Sequence, residues 1–424
     1  SHFFLVRLRA MVDSKQKRKS GSIGGHHGSH HSTGGRVDRQ ATQQNSNDEE
    51  TDNSRDTTGG QMKSSGHSKE SAKHNNSSGQ HSHNGNRKTE KETTTAKTIN
   101  KKSRSRKHSK ESPMETAAMN VLKHIQKIGW LGVEQEFTSV RSIIQRDVFT
   151  YTSFSKHPVK NRFMDVVCLD HTRYQLSTGV PPMSDYIHAN KVRLEGGERE
   201  FIATQAPMES TVEDFWRLVY DCNPPIVICL QELEVLNGRK GESYFPLKQG
   251  EVAVFGTMTV TNKQVIMNEE CAKSTGYTSF SLEVVPEDTP SNIIIKLIQT
   301  SEWPDTGTSV RERRIAISLL KLMEAEAKGS NVVHCSAGIG RTGTYILFSA
   351  VVAKLRKAMP IHLPGMLLEL RGQRASCIQT CEQYANVYVL LIEYLLLTHE
   401  ATFSTIGNQL LHDYAAFRKT REAH

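Results

Sequence analysis

The stretch from Asn331 to Gly343, NVVHCSAGIGRTG, constrains this chain more than any other. Asn331-Val332-Val333-His334 reads as the end of a buried strand, and Thr342–Met359 reads as a helix. Small residues and the glycines 338 and 340 fill the turn between them. Such a turn lets successive backbone N–H groups point inward as an anion-binding nest, to which the helix adds its positive N-terminal end. Cys335 opens the turn beneath the same donors, which favour thiolate over thiol; cysteines in such settings titrate well below about 8.5. Arg341 closes it, and its planar fork can hold two oxygens of a phosphate or sulfate at once. Thr342 is placed to donate its hydroxyl to the cysteine sulfur. A nucleotide-binding P-loop would need a Lys after the last glycine, and none is present. A buried structural cysteine beside a glycine turn would need neither the Arg nor the Thr.

The rest of the composition divides sharply. Residues 1–112 carry 22 Lys/Arg against 11 Asp/Glu, leaving 32 against 34 in the remainder, so the formal charge of +9 resides in the first quarter. That excludes a nucleic-acid-binding core argued from the high pI. The first segment is rich in Ser, Gly, His, Asn, Gln and Lys, with almost no aliphatic residues after Ile23. It cannot bury enough apolar surface to offset the entropy of ordering, and it is expected to be a disordered basic arm. Its Lys101–Lys107 run suits an anionic partner or nuclear import, and equally a solubilising role. His26, His27, His30 and His31 are read as a solvated tract rather than a metal site. No stretch reaches the 18–20 apolar residues of a membrane-spanning helix; Val387–Leu397 is broken by Glu393 and reads as a buried helix. Seven cysteines without zinc-knuckle spacing or an export signal point to reduced thiols.

From 113 onward the pattern is that of one α/β domain. Ala117–Trp130 and Val133–Ile144 have helical spacing, with a break expected at Gly132. Pro225–Leu230, Val252–Val260, Tyr277–Val285 and Ile293–Gln299 read as strands. Ile315, Leu319, Leu322 and Met323 mark a further helix with Gly329 as its stop. The expectation is a mixed α+β domain over 113–399, with 400–424 as a C-terminal tail.

Cys-x5-Arg-Thr within HCSAGIGRTG resembles the signature loop of the classical, non-receptor-type protein tyrosine phosphatases. Five further stretches resemble that family's signatures in the family's order: KNRFMDVVCLDHTRY (160–174), DYIHAN (185–190), FIATQAPMESTVEDFW (201–216), WPD (303–305) and RGQRASCIQTCEQY (371–384). The resemblance implies a twisted mixed β-sheet flanked by helices. It implies hydrolysis of phosphotyrosine in proteins by a cytoplasmic enzyme without metal or organic cofactor. Cys335 would be the nucleophile. Arg341 and the amides of Ser336, Ala337, Gly338, Ile339 and Gly340 would hold the phosphoryl oxygens. Asp305 would be the general acid and then base, with Trp303 anchoring its loop. Gln379 would position the hydrolytic water with help from Gln383. Phe163 would stack on the phosphotyrosine ring, and Asp165 would accept hydrogen bonds from substrate backbone amides. A phosphotyrosine-binding pseudophosphatase is the competing expectation.

The chain departs from the family pattern at several positions. Tyr is usual where Phe163 stands, Pro where Cys168 stands, Gly where Ala206 stands, Cys where Gly241 stands and Trp where Phe245 stands. The Glu234-to-Lys240 segment is one residue longer than usual. Loss of one hydroxyl at Phe163 is expected to affect binding mildly, and the others bear on rate and loop pairing.

Overall fold

The structure is a computed structural model that describes residues 112–143, 149–231, 243–266, 276–300, 303, 310–326 and 329–422. The expected basic arm, the metal reading of its histidines, Cys271, Gly241, the 234–240 segment and Asp305 lie outside the described residues.

Among the described residues nine strands form one sheet in the order β1-β2-β3-β9-β4-β8-β7-β6-β5. They are β1 Arg173–Gln175, β2 Tyr186–Val192, β3 Phe201–Thr204, β4 Ile226–Cys229, β5 Val252–Phe255, β6 Met258–Ile266, β7 Tyr277–Pro286, β8 Ile293–Thr300 and β9 Asn331–His334. The central strands β3, β9, β4 and β8 are parallel, and the flanks are antiparallel. The mixed, helix-flanked sheet expected from sequence is therefore present. In the centre, Val333 lies opposite Ala203 and Ile228, and all three join one apolar core; Val332, Ile202 and Val227 join the other. That period-2 division is why the central strands read as continuous apolar runs, since both faces are covered. Each buried aliphatic side chain contributes about 1.5–3 kcal/mol, so shifting β9 by one residue would forfeit several at once.

Helices cover the sheet: α1 Pro113–Arg141, α2 Thr152–Lys156, α3 Val212–Cys222, α4 Val310–Ala325, α5 Arg341–Arg356, α6 Leu363–Arg371, α7 Cys381–Thr398 and α8 Glu400–Glu422. α1 starts at a capping box in which the Ser112 hydroxyl accepts from Glu115 N while the Glu115 carboxylate accepts from Ser112 N, with Pro113 at the first helical position. The break in α1 falls at Gly129 (φ +65°), not at Gly132. Gly129 supplies the left-handed backbone. Gly132 instead lies against Ile128, where a Cβ would come within 2.6 Å of the Ile128 Cβ.

Two further expectations are modified. The 252–260 run is not one strand but a hairpin, β5 and β6, turning at Gly256 (φ +59°) with Phe255 opposite Met258. Periodicity alone does not register a two-residue turn inside a β-branched run. The segment 400–424, read as a tail, is helical over Glu400–Glu422. It packs on α7 and α1 through Phe403, Leu410 and Tyr414. Trp130 Nε1 donates to Leu410 O at 3.1 Å, and its ring lies 4.6 Å from that of Tyr414. No helix among the described residues is long and apolar enough to cross a membrane.

Candidate active site

β9 ends at His334, the 335–340 loop follows, and α5 begins at Arg341, so the loop lies at the carboxyl edge of the sheet centre. Every carbonyl from 336 to 339 is tied to the scaffold. Ala206 N donates to Ser336 O at 2.9 Å. Arg374 donates through Nη2 to Ala337 O at 3.1 Å and through Nε to Gly338 O at 3.2 Å. Ile378 N donates to Ile339 O at 3.0 Å. In a planar trans peptide the N–H opposes the preceding C=O. Carbonyls drawn outward therefore turn the amides of Ala337, Gly338, Ile339 and Gly340 to the other side, the orientation an anion nest requires.

Gly338 has to be glycine. Its φ is +68°, and a Cβ would lie 1.9 Å from Thr204 O at the end of β3. The loop is pressed onto the backbone of the neighbouring strand, and nothing larger than hydrogen fits.

Arg374 lies in the RGQRASCIQTCEQY stretch, but no role is assigned to it from sequence. It is fully buried and also donates through Nη1 to Asn190 Oδ1 at 2.8 Å, with His188 Nδ1 at 3.1 Å. Burial, then the Arg374 charge, push His188 down to about 3, so its imidazole is neutral. His188 Nε2 lies 2.7 Å from Val166 O, an acceptor only; the ring proton therefore sits on Nε2, and Nδ1 accepts from Arg374. A buried arginine gives no local sequence signal, because its partners lie 36 to 186 residues away.

Cys335 is 3% exposed and follows His334, which is fully buried. Burial lowers His334 to about 4. Tyr244 Oη lies 2.8 Å from His334 Nε2, and His334 Nδ1 lies 3.4 Å from Cys335 O. The neutral ring thus accepts from the tyrosine and turns Nδ1–H toward the carbonyl. Arg341 is 6% exposed and donates through Nη1 to Trp303 O at 2.9 Å. Trp303, itself buried, is the described residue of the WPD stretch, so that stretch begins in contact with the arginine. Thr342 Oγ1 is buried and makes no hydrogen bond to any described residue, so the expected contact with the cysteine sulfur is not formed in this state.

Gln379 and Gln383 sit directly over the loop. A Cβ on Gly340 would come 2.9 Å from Gln379 Oε1 and 2.8 Å from Gln383 Nε2. Gln379 N donates to Gln383 Oε1 at 2.8 Å, and Thr380 caps α7 by accepting from Gln383 N at 3.2 Å. The backbone here takes left-handed φ at Ser376 (60°) and Ile378 (59°), where L-residues are strained. Arg371 holds it, donating to Cys377 O at 2.9 Å and to Ile378 O at 2.7 Å.

Asp165, Ile339 and Gln379 border a cavity of about 500 Å³, together with Arg141, Arg371 and Ser376. Phe163 is 39% exposed and does not border it. The segment bearing both residues is clamped by Arg162, whose side chain donates to Ala206 O at 3.2 Å and Pro207 O at 2.8 Å. Among the departures, Cys168 is buried with its thiol pushed up to about 11 by desolvation. Ala206 is buried, and Phe245 fills its place with ring contacts of 5.0 Å to both Tyr244 and Phe280. Burial likewise pushes Cys222, Cys229 and Cys377 up to about 12, so these are neutral thiols near pH 7.

The family model described as protein-tyrosine phosphatase matches residues 157–393. The chain is 30% identical over 281 residues to human receptor-type tyrosine-protein phosphatase zeta, covering 62% of this chain and 12% of that protein. It is 28% identical over 286 residues to mouse tyrosine-protein phosphatase non-receptor type 20, covering 67% of this chain and 65% of that one. It thus spans less than two thirds of these relatives. A solved chain from the structural study of the PTPN18 fingerprint on distinct HER2 tyrosine phosphorylation sites matches with a TM-score of 0.57 and 26% identity, over 66% of this chain and 99% of that one. The match encloses β9, the 335–340 loop and the glutamines above it; on that evidence the chain belongs to the protein-tyrosine phosphatase family.

Proposed function

We propose that this chain hydrolyses phosphotyrosine in proteins through a cysteinyl-phosphate intermediate. The observation that carries the reading is the 335–340 loop, whose carbonyls are all bound away from the nest while Arg341 is held beside it. In the first step the Cys335 thiolate forms a bond to phosphorus as the bond to the tyrosyl oxygen breaks. Asp305 gives its proton to that oxygen. In the second step Asp305 takes a proton from water, water bonds to phosphorus, and the S–P bond breaks to return the thiolate. Dividing the displacement in two is covalent catalysis. The amides and Arg341 stabilise the charge on the equatorial oxygens, and preorganised donors of this kind usually account for most of the rate enhancement. Gln379, aided by Gln383, orients the water. Asp165 and Phe163 receive the peptide backbone and the aromatic ring. The role of Asp305 rests on the WPD resemblance together with the Trp303–Arg341 contact.

Phosphotyrosyl proteins in the cytoplasm are the proposed substrates, and an anionic surface or nuclear import is the proposed use of residues 1–112. Phosphate release from p-nitrophenyl phosphate and a phosphotyrosyl peptide, with and without vanadate, tests the activity. Turnover is expected in the wild type and absent in Cys335→Ser. Asp305→Ala should bind substrate and turn over about 10²–10⁴ times more slowly. Vanadate-sensitive peptide binding without turnover would instead identify a pseudophosphatase.

A further inference from the structure

Gln379 and Gln383 lie on the 377–384 stretch, and both flanks of that stretch rest on two consecutive residues of α1. On one flank, Arg371 binds the carbonyls of Cys377 and Ile378, and its guanidinium stands over the Phe137 ring at 5.4 Å. On the other, the Glu136 carboxylate accepts through Oε2 from Tyr384 Oη at 3.2 Å and Tyr388 Oη at 3.1 Å. Its Oε1 lies 2.6 Å from His124 Nε2. The Glu136 side chain is 8% exposed, and the two tyrosines are buried on α7 just past Gln383. Phe137 and Tyr384 also touch, with centroids 5.7 Å apart.

We propose that Glu136 is a positioning residue for the second chemical step: by holding Tyr384 and Tyr388 it keeps Gln383 and Gln379 over Gly340. The inference rests on the phosphatase reading above. It separates the two steps because the groups of the first have other supports: the carbonyls of Ser336, Ala337 and Gly338 are bound by Ala206 and Arg374, Ile339 O by Ile378 N on the flank that Arg371 holds, and Arg341 by Trp303. Loosening α7 at its start should therefore disturb the water and spare the attack on substrate.

Stopped-flow release of p-nitrophenol by the wild type, Glu136→Gln and Tyr388→Phe tests this. In Glu136→Gln, phosphoenzyme hydrolysis is expected to slow about tenfold, the scale of a displaced positioning group. kcat then falls, a p-nitrophenol burst stoichiometric with enzyme appears, and kcat/KM stays near the wild-type value. Tyr388→Phe removes one hydrogen bond and little volume, and should show the same split at smaller size; it decides the matter should Glu136→Gln fail to fold. Equal losses in kcat and kcat/KM would mean a merely structural role and overturn the proposal, as would two variants with unchanged kcat and no burst. A wild type without turnover removes the phosphatase reading and this inference together. A turning-over wild type with unaltered variants removes only the role of Glu136.

Discussion

Arg374→Lys probes the loop geometry without changing its formal charge. Arg374 makes four hydrogen bonds at 2.8–3.2 Å from three nitrogens, to Ala337 O, Gly338 O, Asn190 Oδ1 and His188 Nδ1. A lysine offers three donors from one point and cannot reproduce the planar fork, so about two of the four bonds are lost. Hydrogen bonds to charged groups contribute about 1.5–3 kcal/mol each, which puts the destabilisation at about 3–6 kcal/mol. If about 2 kcal/mol of that falls on the loop carbonyls, the ratio of inward to outward amides drops about 30-fold, and kcat/KM falls by up to that factor. Urea unfolding gives the first quantity, and initial rates on p-nitrophenyl phosphate give the second. Arg374→Lys with wild-type stability and kcat/KM within about twofold would refute the argument that these outward carbonyl bonds turn the amides inward.

Gly338→Ala places a methyl group 1.9 Å from a strand carbonyl in a left-handed conformation. The loop must move off β3, and a loss of about 10²–10³ in kcat on the same substrate is expected from misaligned oxyanion donors. Stability should fall as pH is lowered from about 6.5 toward 4, because unfolded His188 and His334 bind protons there while the folded forms, at about 3 and about 4, do not. Each contributes stability that is present in full above about 6.5 and is lost at about 1.4 kcal/mol per pH unit as pH falls from there toward its folded value. Urea midpoints at successive pH values check the sign. His124 works oppositely: its hydrogen bond to Glu136 raises it, so its contribution is present below about 6.5 and fades as pH rises through the raised value.

Local signals served well where a residue's job is done by its own neighbours. NVVH, read as the end of a buried strand, forms β9, because residues covered on both faces need no distant information. The candidate nest, its cysteine and its arginine also lie within seven residues, and the glutamine side chains lie beside Gly340 at the end of that loop. The hairpin at Gly256, the kink at Gly129 in place of Gly132, and the docking of α8 were not legible. The hairpin is a two-residue turn to which periodicity is blind, whereas the docking of α8 depends on what the segment meets across the fold, as Trp130 meets Leu410 and Tyr414.

The amino-acid order alone was enough to place the groups of the candidate site, since a thiol, small residues, a guanidinium and a helix start must be contiguous to make one anion nest. Tertiary packing decided which way that nest faces and what steadies it. The donors that draw its carbonyls outward, from Arg374 and Ala206, and the carboxylate that anchors α7, from Glu136, come from remote parts of the chain. Only the folded backbone brings them within hydrogen-bonding distance.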